Sequence, residues 1–128
     1  MRFTYCGSVY SNIDLVKGFV DQLLTRLSEI ITDENTLFDV RLILNELIIN
    51  GVFHGNNCDE FKCVKIDLSI IKNRIRIEVV DEGDGIKYDI DSYNPTSLKP
   101  SGRGLVIVNG LSDELIVENN KVIAIKNI

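Results

Sequence analysis

The chain reads as an α+β two-layer sandwich, with helices packed on one face of a mostly antiparallel mixed sheet, in one domain spanning residues 1–128. Three observations predict it. Two long segments of helical apolar period come first, two strand pairs of alternating period follow, and a short helix lies between those pairs.

Each element has a local reason. Phe3-Thr4-Tyr5 opens the chain as a short strand. Ser11-Asn12 supplies a capping pair for a helix over residues 13–31, where Ile13, Val16, Val20, Leu23, Leu24, Leu27, Ile30 and Ile31 recur at steps of three and four. This stripe is core surface. A polar break at residues 32–36 precedes Leu37, Val40, Ile43, Leu44, Leu47, Ile48 and Val52, a second helix that should stop near Gly55-Asn56-Asn57. The period then changes to two. Val64, Ile66, Leu68 and Ile70, then Ile75, Ile77 and Val79, flank a turn at Lys72-Asn73 and form a hairpin with one buried face. Residues 86–101 hold both prolines without any apolar period and read as a functional loop. A short helix over residues 104–111 and a second hairpin around Asn119-Asn120 complete the chain.

Composition narrows the partners. With 45 % hydrophobic and 26 % charged residues the chain has a globular profile. Fourteen Lys and Arg against nineteen Asp and Glu leave a formal net charge of −5, which gives no electrostatic reason to bind nucleic acid or a membrane. The three cysteines, Cys6, Cys58 and Cys63, are unpatterned free thiols of a reducing compartment, and Cys58 with Cys63 lack the second ligand pair of a zinc site. Without a signal-like apolar segment or an apolar run of the roughly 20 residues that span a bilayer, a cytoplasmic location is expected.

Three short segments carry the chemistry. Glu46, Asn50 and His54 recur every four residues, each about 40° round the helix from the last, so a polar stripe runs through an apolar helix. A carboxylate against apolar surface is costly unless partnered or kept for proton transfer, and a carboxamide oxygen suits Mg²⁺. A solvated helix edge would explain the same stripe. The first hairpin ends in Asp81-Glu82-Gly83-Asp84-Gly85, a carboxylate at a strand end followed by glycines that let a ligand approach the backbone. An adenine amino group could donate to Asp81, although an ordinary turn has the same composition. Finally, Gly102-Arg103-Gly104-Leu105 opens the short helix, whose free N–H groups suit phosphate. Four of the nine glycines thus bracket the 86–101 loop, an arrangement that a nucleotide lid requires. The lysine-bearing phosphate loop and the three-glycine dinucleotide fingerprint are both missing, which excludes those folds.

Together these segments resemble the GHKL ATPase superfamily of gyrase, heat-shock chaperone, histidine kinase and MutL, and most closely its small anti-sigma-factor serine/threonine kinases. Its N box matches Glu46-Leu47-Ile48-Ile49-Asn50-Gly51-Val52-Phe53-His54-Gly55, its G1 box Asp81 through Gly85, and its G2 box Gly102-Arg103-Gly104-Leu105. The pair His54-Gly55 is more typical of the anti-sigma branch than of sensor kinases.

The resemblance implies a Bergerat-type ATP-binding fold and the cofactors ATP and Mg²⁺. It implies that Asp81 accepts from adenine, that Asn50 coordinates the metal, and that Glu46 is the catalytic base. Gly83, Gly85, Gly102, Arg103, Gly104 and Leu105 would shape the nucleotide pocket and its lid. The implied partners are a sigma factor, an anti-anti-sigma factor as protein substrate, and a second copy of the chain, since relatives commonly pair. The rival reading is a nucleotide-responsive binding switch that transfers no phosphate. Two positions depart from the pattern: Gly51 stands where alanine is usual, and the last hairpin lacks the glycine-threonine pair many relatives place beside the phosphates.

Overall fold

A computed structural model describes residues 2–57, 59–83 and 100–128. Its elements run β1 (Arg2–Tyr10), α1 (Ile13–Leu27), α2 (Glu34–Asn50), β2 (Cys63–Ile71), β3 (Arg74–Val80), α3 (Pro100–Leu111), β4 (Glu114–Glu118) and β5 (Lys121–Asn127). The five strands form one sheet in the order β1-β2-β3-β5-β4. All four pairings are antiparallel, so among the described residues the sheet is not mixed.

Alternation decides which face is buried. Ile66 lies opposite Val79, Leu68 opposite Ile77 and Ile70 opposite Ile75, so one face of the β2–β3 hairpin is continuously apolar. Val122 and Ala124 of β5 extend that face beyond Val79 and Ile77. Onto it pack Val20, Leu23 and Leu27 from α1, Ile43, Leu44, Leu47 and Ile48 from α2, and Leu105 and Val108 from α3, none more than 2 % exposed. Each such side chain contributes about 1.5–3 kcal/mol through burial. On the opposite face Arg76 and Lys121 flank Glu78 at 3.2 and 3.5 Å, and Arg74 lies 3.6 Å from Glu114. Such exposed pairs are worth at most about 1 kcal/mol each.

The ends of the elements follow from capping. Asn12 accepts from the Asp14 N–H at 2.9 Å and starts α1, and Asp33 accepts from the Thr36 hydroxyl at 2.6 Å beside the start of α2. The Lys72-Asn73 turn takes positive φ at both residues, as a tight two-residue hairpin requires. Several boundaries differ from expectation, and α1 stops at Leu27 rather than at residue 31. β1 runs to Tyr10, because its whole length pairs with β2 from Arg2–Ile71 to Tyr10–Cys63. Helix α3 begins at Pro100, the first-turn position that proline favours, so Gly102 and Arg103 lie inside the helix rather than before it. Of the expected lid, residues 86–99 lie outside the described residues.

Candidate nucleotide site

The site is built where α2 ends. The regular helix stops at Asn50, and residues Gly51–Gly55 make a wider turn in which the Asn56 N–H reaches back five residues to the Gly51 carbonyl at 2.8 Å. Such wide turns recur at functional positions. The regular stripe therefore continues only as far as Asn50, and the His54 side chain lies outside the described residues.

This wider turn presses Gly55 against the end of β3. A Cβ on Gly55 would fall on the Asp81 carboxyl group, and a Cβ on Gly83 would strike the Gly55 carbonyl. Glycine at both positions is what allows the last residues of the N box to lie backbone to backbone against the first residues of G1. Gly51 serves the same closeness one turn earlier. A Cβ there would come within 3.1 Å of Val64 Cγ2, a physical reason for glycine in place of the usual alanine.

Asp81 is only 3 % exposed. Burial pushes its carboxyl above the ordinary carboxylate range, partly offset by the Gly83 N–H donating at 2.8 Å and by the charge of Lys62. Its backbone is held by the turn between β4 and β5. The Asp81 N–H donates to the Asn120 carbonyl at 3.0 Å, and the Asn120 side chain donates to the Asp81 carbonyl at 2.6 Å.

The G2 box meets the N box through Gly104. A Cβ on Gly104 would lie 2.6 Å from Glu46 Oε2 and 3.3 Å from Asn50 Nδ2, so α3 rests directly on these two polar side chains of α2. Asn50 is 7 % exposed and its Nδ2 has no hydrogen-bond partner among the described residues. A buried amide donor left so costs about 1–3 kcal/mol, a deficit that a ligand oxygen removes. Turning the amide by 180° presents Oδ1, a hard oxygen ligand, in the same place. Among the described residues no three His, Cys, Asp or Glu side chains converge to cage a metal. A carboxamide oxygen in that place is a donor of the kind a hard cation such as Mg²⁺ takes.

The sequence-derived residues divide as follows. Glu46, Asn50 and Gly104 are brought together, as are Asp81 and Gly83 with Gly55. Gly102 and Arg103 lie in the first turns of α3, the Arg103 side chain outside the described residues, and Leu105 is turned into the core at 2 % exposure. Gly85 and Cys58 lie outside the described residues, while Cys63 is a half-buried free thiol. Two contributors escape a reading of motifs. Asn120 looks like a simple turn residue and Asn56 like a helix stop, yet both bond the backbone beside Asp81. The only signal for Asn56 is its place immediately after the N box.

A family model described as a histidine kinase-like ATPase domain matches residues 11–126. The anti-sigma F factor of Clostridium perfringens (strain SM101 / Type A) is 32 % identical over 111 residues, covering 83 % of this chain and 74 % of that protein. That of Geobacillus stearothermophilus is 32 % identical over 109 residues, covering 81 % and 70 %. The anti-sigma F factor of Clostridium botulinum (strain Eklund 17B / Type B) is 29 % identical over 111 residues, covering 83 % and 73 %. The matched span includes the end of α2, the strand end at Asp81 and the start of α3. The chain belongs to the histidine kinase-like ATPase domain family, on the branch of the anti-sigma F factors.

Proposed function

We propose that residues 1–128 act as one nucleotide-binding domain of a cytoplasmic anti-sigma factor, which holds a sigma factor and phosphorylates a serine or threonine of an antagonist protein. The relatives' names support the sigma-factor partner. The observation that carries the nucleotide reading is the meeting of the segments. Gly55 lies on Asp81, Gly104 lies on Glu46 and Asn50, and the Asn50 amide has a buried atom without a partner among the described residues.

In this reading the adenine amino group donates to Asp81, whose low exposure excludes competing water. Asn50 holds Mg²⁺, which when bound offsets the negative charge of the phosphate oxygens. Glu46 accepts the proton of the seryl or threonyl hydroxyl as its oxygen bonds to the terminal phosphorus. The bond from that phosphorus to the bridging oxygen breaks, and ADP leaves. Helix α3 contributes N–H groups from its first turn.

The test is Glu46→Gln, which keeps the side-chain shape and removes the base. The variant should bind ATP and the sigma factor as the parent does, while transfer of labelled phosphate to the copurifying antagonist falls by roughly 10²–10⁴. A parent chain that binds ATP and both proteins but transfers no label is the nucleotide-responsive switch, and the kinase reading fails.

A further inference from the structure

We infer that Asn56 is a positioning residue that fixes the direction of the Asp81 carboxylate and thereby sets the preference for adenine over guanine. The inference rests on the reading of Asp81 as the adenine acceptor.

Asn56 is fully buried, and both ends of its amide are used. Its Nδ2 donates to Ser11 Oγ and to the Cys63 carbonyl, each at 3.0 Å, and its Oδ1 accepts the Glu82 N–H at 2.7 Å. The Ser11 hydroxyl passes the chain on to the Lys62 carbonyl at 2.9 Å. One side chain thus ties the start of α1 and the start of β2 to the residue that follows Asp81. Glu82 is held at its other end as well, since its carboxylate accepts the Cys63 N–H. From the opposite side Asn120 grips the Asp81 peptide through two hydrogen bonds. The peptide carrying the carboxylate is clamped between two asparagines, and only the Asn56 clamp comes from the N-box end of α2.

A burial this complete makes the acceptor at Asn56 Oδ1 demanding. Without it the Glu82 N–H loses this acceptor, and the Asp81-Glu82 peptide is freed to turn toward water. Purine discrimination is sensitive to that turn. Adenine offers a donor where guanine offers an acceptor, so a carboxylate held in line attracts one base and repels the other, and one carried out of line by its own peptide does neither well. A residue that only stabilised the fold would change affinity for both bases together.

The experiment measures dissociation constants for ADP and GDP, with Mg²⁺, for the parent, Asn56→Ala, Asn56→Asp and Asp81→Asn. The parent should prefer ADP. Asn56→Ala should lose about tenfold of that preference. Asn56→Asp keeps an oxygen for the Glu82 N–H but cannot donate to the Cys63 carbonyl, so it should restore part of it. Asp81→Asn should lose at least as much as Asn56→Ala. An Asn56→Ala variant that weakens ADP and GDP binding by the same factor overturns the inference while the Asp81 reading stands. An Asp81→Asn variant with the parent's preference overturns that reading itself. Amide hydrogen exchange of the nucleotide-free parent stands in if Asn56→Ala does not fold. The Glu82 N–H should exchange as slowly as the amides within β3, and rapid exchange there overturns the inference.

Discussion

Replacing Gly104 by alanine should move stability and chemistry in opposite directions. Gly104 lies inside α3, where alanine is favoured over glycine by about 1 kcal/mol. The new methyl would stand 2.6 Å from Glu46 Oε2, roughly 1 Å short of an ordinary contact of about 3.5–4.0 Å. The group that must yield is the far end of a flexible glutamate side chain, and an off-rotamer adjustment there costs about 0.5–1.5 kcal/mol. The two terms nearly cancel, so the unfolding free energy should change by no more than about 1 kcal/mol. The carboxylate, however, is displaced by up to about 1 Å, which is worth roughly 10²-fold in a reaction that depends on its position. Thermal unfolding of the variant beside labelled phosphate transfer to the antagonist reads both quantities. Unchanged transfer would refute the placement of Glu46 as the base. A lowered melting temperature with a matching loss of ATP binding would show that α3 is forced away, contradicting the claim that only the side chain yields.

Other outcomes follow from the same geometry. Because burial raises the folded pKa of Asp81, its protonated form favours the folded chain, and that contribution is lost as pH rises through the window above the ordinary carboxylate value. Asp81→Asn removes the buried charge at neutral pH, so it should melt no lower than the parent while binding ADP at least tenfold more weakly; a lower melting temperature contradicts this. As pH falls through the same window the parent should lose ADP affinity, because protonation removes the charge that strengthens the adenine contact. Calorimetry from neutral pH down to the ordinary carboxylate value checks it, and constant affinity would place adenine elsewhere. Asn50→Ala should abolish the difference between ADP binding with and without Mg²⁺; a persisting difference would move the metal to other ligands.

The parts of the fold legible in the sequence are those with a clean period. The β2–β3 hairpin alternates without interruption and carries its turn residues at Lys72-Asn73, and α1 and α2 repeat apolar residues at helical steps. β1 was harder to read to its full length because Gly7 interrupts the inward series Phe3, Tyr5 and Val9, although the strand pairs with β2 throughout. Local propensity also misplaced the start of α3, since two glycines in its first turns look like a loop, and only packing on α2 shows the missing side chain of Gly104 to be an advantage. The candidate site follows the same division. Glu46, Asn50 and Asp81 stand out as polar residues in apolar surroundings. Asn56 and Asn120 do not, because their importance lies in long-range bonds to the backbone at Asp81 and Glu82 that no local pattern encodes.

In the proposed function the end of α2, the end of β3 and the start of α3 make one adenine-nucleotide site. Backbone amide resonances followed during titration of the parent chain with ADP and Mg²⁺ test it most directly. Amides of the segment from Glu46 to Gly55, of Asp81 to Gly83, and of Gly102 to Leu105 should shift along one binding curve with a single Kd. Separate curves for these segments, or shifts confined to residues remote from Asn50 and Asp81, would contradict it.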